Sequence, residues 1–289
     1  MAVIDGEHMR IQFFGVRGST PCDGEELARY GGNTSCVAVE VPGHQPIMLD
    51  MGTGARKYGY AHDVNGRFDG VCLLTHLHWD HVQGLPFFPP TLHPGTSLEL
   101  HGPRQEGSDD FREVFEAIWC PPAFPIGVAD LPGEFTFHGH HHDDFRVGDV
   151  TVKARPVPHV GSTLGYRLDW QGRSIAYISD HQQPLGGFSI PDSVRELCDG
   201  VDVLIHDAQY TPDEFAAKST WGHCTVEFAV WVGVTCGAKQ LVMFHHDPTH
   251  DDAMIDRLRD GAAACCSSAM QVHAAMEGMT IDLGGPAGS

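Results

Sequence analysis

A single heptapeptide, Thr-His-Leu-His-Trp-Asp-His at residues 75–81, constrains this chain more than any other segment. It follows the apolar run Val-Cys-Leu-Leu at residues 71–74, which is typical of a buried strand. Imidazole and carboxylate groups bind zinc and its first-row neighbours, and a loop that leaves a strand can direct several of them toward one point. The alternative is a solvated loop in a chain with 20 histidines. We favour a metal site, whose first candidate ligands are His76, His78, Asp80 and His81.

The spacing also predicts how these four residues divide between two ions. Alternate residues of a nearly extended turn point the same way, so His76 and His78 are expected to share one ion. Asp80 and His81 are then expected to turn toward a second ion.

The pattern His76-x-His78-x-Asp80-His81 resembles the HxHxDH signature of the metallo-β-lactamase fold superfamily, in the members that carry two metal ions. The resemblance implies an α/β fold, the αββα sandwich, in which two mixed β-sheets are flanked by helices. We expect residues 1–289 to form one such domain, because α/β chains of this size often build a single core.

Composition restricts the partners of such a domain. The chain has 18 lysines and arginines against 38 acids, a formal net charge of −20. Proteins that hold nucleic acid place basic side chains on phosphates, so we expect no stable nucleic-acid partner. Bound metal ions would offset the negative charge locally and would still admit a small phosphate ester.

Sequence features also indicate the compartment. No apolar run approaches the roughly 18 residues of a membrane span, and residues 1–10 lack the apolar segment of a secretory signal. Nine cysteines without a CxxC pair fit reduced thiols better than a disulfide framework. We expect a cytoplasmic protein with no membrane partner, and the resemblance allows a homodimer.

Further candidate ligands stand at the ends of later predicted strands: His159 after 150–157, Asp180 after 173–179, and His245 after 240–244. The superfamily pattern of a strand followed by histidine selects His245. His246 is the alternative, because neighbouring strand residues face opposite ways. Asp50, at the end of the strand predicted over 46–50, is expected to orient a ligand histidine, and the alternative is a cap for the turn that follows.

The resemblance implies two complete ligand sets that share one carboxylate. Site one would be His76, His78, His159 and Asp180, and site two would be Asp80, His81, His245 and Asp180. Asp180 would bridge the ions, since each carboxylate oxygen can serve one of a pair roughly 3.5–4 Å apart. We expect two divalent metal ions, with zinc first and manganese or iron as alternatives.

Residues 221–225, Trp-Gly-His-Cys-Thr, resemble the Gly-His-Ser-Thr element of tRNase Z and related phosphodiesterases, with Cys224 in place of serine. In those enzymes the histidine approaches the scissile phosphate. The resemblance therefore implies that His223 is the general acid, with catalytic roles also for Asp80 and Asp180. A helix predicted over 225–234 would present its N-terminus to the site, where anions are favoured.

Two other groups of polar residues have more than one interpretation. His206 and Asp207 resemble a pair that precedes a flexible segment in tRNase Z; they are expected either to support the ligands or to make ordinary hydrogen bonds at a strand end. A cluster of four histidines resembles a metal site, but we predict that it lies in a surface hairpin between strands over 134–137 and 150–153, where it would bind metal only adventitiously: His138, His140, His141 and His142.

The expected reaction is hydrolysis of a small or cyclic phosphodiester by a hydroxide held between the two cations. Bacterial tRNase Z enzymes place a long tRNA-gripping arm between the ligands that correspond to His159 and Asp180, and this sequence has only the short segment 160–179 there. One alternative is a lactone or thioester hydrolase, which would not need His223. Others are a tRNA 3′-processing endoribonuclease and a non-enzymatic sensor or di-iron module.

Overall fold

The computed structural model describes residues 8–62, 67–108, 110–266 and 270–284. Residues 1–7, which belong to the N-terminal segment considered above, lie outside these ranges. The described strands are β1 (Met9–Gly15), β2 (Cys36–Glu40), β3 (Ile47–Leu49), β4 (Asp69–Leu73), β5 (Ser97–Pro103), β6 (Glu134–His140), β7 (Asp143–Val147), β8 (Val150–Pro156), β9 (Leu164–Trp170), β10 (Arg173–Ile178), β11 (Val203–Asp207), β12 (Gln240–Phe244), β13 (Gln271–Ala274) and β14 (Thr280–Leu283).

These strands form two seven-stranded sheets. The first sheet has the order β14-β1-β2-β3-β4-β5-β6, and the second has the order β13-β12-β11-β10-β9-β8-β7. Each sheet mixes antiparallel pairs with a parallel series, β3 to β6 in the first and β10 to β13 in the second. The helices are α1 (Gly54–His62), α2 (Trp79–Val82), α3 (Phe111–Ile118), α4 (Asp192–Cys198), α5 (Pro212–Lys218), α6 (Val226–Thr235) and α7 (Asp252–Cys265).

The hydrophobic residues form three layers, as an αββα sandwich requires. One cluster lies between the sheets and includes Val71 and Leu73 of β4 and Ile205 of β11. The alternate residues of β4 belong to a second cluster, which packs against α1 and α3 on the outer face. A third cluster joins the outer face of the other sheet to α4 and α6. The predicted fold class is therefore confirmed.

The parallel strands explain where polar side chains gather. Carboxyl ends of neighbouring parallel strands meet at one edge of a sheet, and segments leaving them are free of ladder hydrogen bonds. In the first sheet β3 and β4 end there, just before Asp50 and the 75–81 segment. Three parallel strands of the second sheet end at the same edge. β10 ends shortly before Asp180, β11 ends at Asp207, and β12 ends just before His245.

Two local predictions were wrong. The sequence after the heptapeptide predicts a short helix over 82–88 that stops at the two following prolines, but the helix begins at Trp79, inside the motif. The histidine cluster does not lie in a hairpin: β6, which contains His138 and His140, pairs with β5 in the first sheet, whereas β7 pairs with β8 in the second.

Among the described helices, none has the length and apolar character needed to cross a membrane.

Candidate metal centre

The 75–81 segment changes direction between its two halves. His78 has an extended backbone and is the residue that precedes α2, while Asp80 and His81 lie in the first turn of that helix. The start of the helix, rather than the alternation of an extended turn, therefore separates Asp80 and His81 from His76 and His78. All four side chains remain close to the ends of the parallel strands.

The first donor group consists of His76, His78 and His159, which offer ligand atoms within 4.8 Å of one another. His159 follows β8, so this group draws on both sheets. Nε2 of His159 lies 3.2 Å from Nδ1 of His78. Three ring nitrogens that converge in this way suit one cation of the zinc type.

The second donor group consists of Asp80, His81 and His245. Nε2 of His245 lies 3.1 Å from Oδ2 of Asp80 and 3.3 Å from Nε2 of His81. His246 points elsewhere, because its Nε2 donates to the carbonyl of Ala275 at 2.9 Å. The structure thus brings His245, and not His246, into the group.

Asp180 lies between the two groups, and each of its oxygens faces a different one. Oδ1 is 3.8 Å from Nε2 of His76 and 3.6 Å from Nε2 of His159. Oδ2 is 3.2 Å from Nε2 of His81 and 3.6 Å from Nε2 of His245. This is the placement that a carboxylate bridging two cations requires.

Hydrogen bonds on the far side of three rings fix which nitrogen faces the centre. Nδ1 of His81 donates to Oδ2 of Asp50 at 2.8 Å, and Nδ1 of His159 donates to the carbonyl of Gly222 at 2.7 Å. Nδ1 of His245 donates to Oε1 of Gln209 at 2.9 Å. Each Nε2 is then left with a lone pair directed inward, the usual arrangement of metal-binding histidines.

Asp50 contacts a candidate ligand, His81, as predicted, and its carboxylate also accepts hydrogen bonds from other buried groups. Besides His81, it accepts hydrogen bonds from the backbone N–H of Thr75 at 2.7 Å and from the hydroxyl of Tyr177 at 2.9 Å. Its φ is 61°, in the left-handed region that few non-glycine residues adopt. The buried carboxylate therefore rigidly orients His81 and the start of the motif.

Buried atoms without partners test whether this donor set fits metal ions. Nε2 of His76 and Oδ2 of Asp180 are buried and make no hydrogen bond among the described residues. Unpaired buried polar atoms are costly, and converging lone pairs and carboxylate oxygens repel one another. Two divalent cations would relieve both penalties, so the residues present fit the pair of ions that the sequence predicts.

The charge states of the histidines agree with that fit. Burial lowers the pKa of His76 well below its usual value, and burial together with neighbouring histidines lowers that of His159 to about 4, so both rings are neutral and able to ligate. His81 differs: burial lowers its pKa, but Asp80, Asp180 and Asp50 outweigh burial and raise it well above the usual value. The negative charge around His81 is the charge that a cation would neutralise.

His223 adjoins this centre and is held by Asp207. Its Nδ1 lies 3.1 Å from Oδ2 of Asp207 and 3.6 Å from Oδ1 of Asp180. Burial alone would lower the pKa of His223, but these carboxylates raise it above the ordinary value. The ring can therefore carry a proton next to both donor groups.

The neighbours of His223 explain the Trp-Gly-His-Cys-Thr segment. Gly222 has φ +98°, and a Cβ there would overlap the ring of His159, so only glycine fits. Cys224 is buried and its thiol donates to the carbonyl of Asp207 at 3.0 Å, which places it in the packing rather than at the centre. The side chain of Thr225 accepts a hydrogen bond from the backbone N–H of Phe228 and caps the start of α6.

Several predicted residues lie away from the donor groups. Nε2 of His206 contacts Nδ1 of His181 at 3.0 Å, so His206 makes strand-end contacts and does not touch a candidate ligand. Asp207 is different from its neighbour because it holds His223. His138 and His140 lie on β6, at the far edge of the first sheet from β1.

Sequence reasoning missed some residues that position the centre. Gln209 holds His245, and the backbone N–H of Ser19 donates to Oδ2 of Asp80 at 2.7 Å. A Cβ at Gly18 would overlap the ring of His245, so the loop over residues 15–21 packs directly on the second group. Gly15 and Gly18 are the signal that the sequence offers, and a pair of glycines alone indicates only a loop that approaches substrate.

Aromatic side chains lie next to the motif. Trp79, whose side chain is 52% exposed, stacks on Trp119 with ring centroids 5.8 Å apart, and Phe124 packs edge-on against Trp119. Phe124 belongs to the proline-rich segment 120–125, which therefore lies beside the motif. These rings provide an apolar border on the side of α2.

Comparisons with known proteins agree with the geometry. Residues 48–246 match the family described as "Beta-lactamase superfamily domain". A Ribonuclease Z from Haloarcula marismortui is 21% identical over 302 residues, covering 87% of this chain and 91% of that protein. The solved metallo-beta-lactamase fold protein YhfI from Bacillus subtilis has 18% identity and a TM-score of 0.73, covering 96% of this chain and 100% of its own.

A solved diphosphatase from the PhnP family has 19% identity and a TM-score of 0.69, covering 96% of this chain and 98% of its own. At these identities the solved structures establish the fold, whereas the family match spans well over half of the chain. Together with the HxHxDH segment and the convergent His/Asp groups, that match settles the family. The chain belongs to the beta-lactamase superfamily and is a hydrolase of the metallo-β-lactamase fold.

Proposed function

We propose that this hydrolase is a phosphodiesterase that acts on small or cyclic phosphodiesters with two divalent metal ions, zinc being the expected metal. The observation that carries the proposal is the position of His223 beside Asp180, which both donor groups share. His76, His78, His159 and Asp180 would hold one ion, and Asp80, His81, His245 and Asp180 would hold the other. A cytoplasmic location and a homodimeric state remain predictions.

The chain's own residues supply the proton and its position. When bound, paired divalent ions lower the pKa of water and polarise a phosphoryl oxygen. His223 is held by its Nδ1–H, which donates to Asp207, so the second proton of the charged ring is carried on Nε2. That proton is available to the leaving alkoxide of a phosphodiester. An ester with a good leaving group would gain less from it.

The segment between His159 and Asp180 supports a small substrate. It contains β9 and β10, which pair antiparallel through a turn at Gln171 and Gly172. These strands belong to the second sheet, so the segment is used in building the fold. The net charge of −20 also disfavours a long polyanion, while the positive charge of the ions would attract a small phosphate group.

Two other activities stay in competition with this proposal. Ribonuclease Z is the name of curated relatives that align with most of the chain, and this favours a tRNA 3′-processing endoribonuclease as the second candidate. A lactone or thioester hydrolase would use the same paired ions. It would have no use for a proton donor at His223, because opening a lactone demands less protonation of the leaving oxygen.

A substrate panel tests the proposal directly. The metal-loaded protein should hydrolyse bis-p-nitrophenyl phosphate and a cyclic nucleotide, and it should act far more slowly on a lactone and on a precursor tRNA. Faster turnover of the lactone would overturn the phosphodiesterase assignment, and specific cleavage of the precursor tRNA would establish the ribonuclease.

His223→Ala separates the classes further. We expect a loss of about 10²–10⁴-fold with the cyclic nucleotide, whose leaving alkoxide needs a proton, and a smaller loss with bis-p-nitrophenyl phosphate. Lactone hydrolysis, where measurable, should be spared. Glu227→Gln, which changes an exposed residue in the first turn of α6, is the matched control and should retain activity. Equal losses on both phosphodiesters would contradict the role of His223 as a proton donor.

A further inference from the structure

A second group of metal-ligating side chains lies at the edge of the first sheet, outside the candidate metal centre. His101 on β5 and His138 on β6 are directly opposite one another in parallel register, with ring centroids 4.6 Å apart. Glu99 lies two residues before His101 and therefore on the same face of β5. The three side chains offer ligand atoms within 4.8 Å of one another.

A chain of hydrogen bonds determines which nitrogen of His101 faces this group. Oδ2 of Asp143 lies 3.4 Å from Nδ1 of His140, and Nε2 of His140 lies 2.9 Å from Nδ1 of His101. The pKa of Asp143 is lowered, chiefly by a hydrogen bond from the backbone of His141, so this carboxylate is ionised and accepts the proton of His140 Nδ1. His140 Nε2 must then accept from His101 Nδ1, which leaves the lone pair of His101 on Nε2.

That lone pair has no hydrogen-bond partner among the described residues. Nε2 of His101 is buried, and Oε2 of Glu99 lies 3.7 Å from it. Burial, followed by the neighbouring His138 and His140, lowers the pKa of His101 to about 3, so no proton lies between the two atoms at neutral pH. Two acceptors that face each other across this distance repel, and a cation between them would turn the repulsion into coordination.

The surroundings are built like those of a bound ion. The ring of Phe145, from the edge of the second sheet, stacks on His101 at 4.7 Å with an interplanar angle of 2° and covers its inner side. His138 is exposed and Glu99 is partly exposed, so the outer side is open to solvent. An ion has an entry path, and water can complete its coordination.

We propose that Glu99, His101 and His138 bind one further zinc ion, at a site distinct from the candidate metal centre. Two imidazoles and one carboxylate are a ligand set that zinc accepts, with water in the remaining position. The ion links β5 to β6, the edge strand of its sheet, and stabilises that edge. The site lies on the strand next to the one that carries the motif, since the backbone N–H of Leu74 donates to the carbonyl of His101 at 2.8 Å.

Zinc counting by equilibrium dialysis and atomic emission tests the proposal on the full chain. His138→Ala and Glu99→Gln should each bind one zinc equivalent fewer than the wild-type protein. Both positions are open to solvent, so the variants should fold, and circular dichroism checks this. The loss is measured against wild type, and it is therefore independent of the number of ions at the candidate metal centre and of the substrate that the enzyme cleaves.

His142→Ala is the matched control. His142 is an exposed histidine that follows β6 and contacts Glu196, so its removal should leave the zinc content unchanged. Unchanged zinc content in both His138→Ala and Glu99→Gln would overturn the proposal. An equal loss in His142→Ala would also overturn it, because the metal would then be bound by surface histidines in general.

Discussion

The carboxylate of Asp207 holds the ring of His223. It accepts from Nδ1 of the ring and is itself fixed by the backbone N–H groups of His181 and Gln209, both at 3.0 Å. A carboxylate held by three donors cannot turn away from the ring. At the scale of single residues, this contact can be tested by the dependence of activity on pH.

Asp207→Asn should therefore move the alkaline limb of the pH profile. The pKa of His223 is raised in the folded protein, so the active protonated form is lost as pH rises through that value. Removing the negative charge lowers the pKa and shifts the limb to lower pH. The measurement is kcat/KM against pH with a cyclic nucleotide, beside Glu227→Gln as control. An unshifted limb would mean that another group provides the proton.

In the proposed centre, both ions would depend on Asp180. Asp180→Asn should leave at most one tightly held ion per chain at the candidate metal centre, because an amide offers one neutral oxygen where the carboxylate offers two charged ones. Metal analysis after dialysis measures the number of ions per chain. The His138→Ala change is added to remove the further zinc site proposed at Glu99, His101 and His138. Asp202→Asn is a control, since Asp202 is a buried carboxylate that pairs with Lys239 instead. Two ions retained by Asp180→Asn would refute the bridge.

At the scale of structural elements, the turn before α6 depends on Gly222, because a side chain at this position would overlap a candidate ligand. Gly222→Ala combines a strained φ of +98° with overlap against the ring of His159, so it should displace that ligand and reduce metal affinity sharply. Gly172→Ala is the matched control: its φ is +76°, and a Cβ there meets nothing within 4 Å. It should cost about 1–2 kcal/mol of stability from backbone strain and keep the metals.

Zinc content and thermal unfolding of the two variants distinguish the effects. If Gly172→Ala loses as much metal as Gly222→Ala, the loss comes from the strained backbone. In that case the contact between Gly222 and His159 would not explain it.

The same elements show what sequence patterns can and cannot predict. The apolar strands and the ligands that follow them were predictable, because strand ends and metal-ligand spacing are local properties of the chain. Two features depended on tertiary partners. β6 pairs in the first sheet and β7 in the second, where Phe145 packs against the cluster between the sheets. The alternation of apolar and polar residues does not encode that choice. Likewise, Gln209 and Asp207 gain their roles only when β12 and α6 lie beside β11.

On the scale of the whole molecule, the candidate metal centre joins the two sheets. Four candidate ligands follow a strand of the first sheet: His76, His78, Asp80 and His81. Three others follow strands of the second sheet: His159, Asp180 and His245. Ions held by both sets would link the sheets at one edge. A ligand that binds only the folded state stabilises it by about 2.7 kcal/mol at a concentration 100 times its Kd.

Removal of the metals should therefore lower the Tm of the whole protein. For a chain of this size we expect a decrease on the order of 5–10 °C, from roughly 2–4 °C per kcal/mol. Differential scanning fluorimetry with and without a chelator measures it, and excess zinc should restore the original value. Asp180→Asn should show a smaller decrease, because it binds less metal. A Tm insensitive to the chelator would show that the ions do not link the sheets.

The order of the donors along the chain has a consequence for biosynthesis. His76 and His78 emerge from the ribosome early. His245 comes only after β12, the twelfth of the fourteen described strands, which pairs with β11 in the second sheet. A nascent polypeptide stopped before that point would hold an incomplete set of ligands. Acquisition of the full complement of metal should accordingly be a late, post-translational event that reports completed folding.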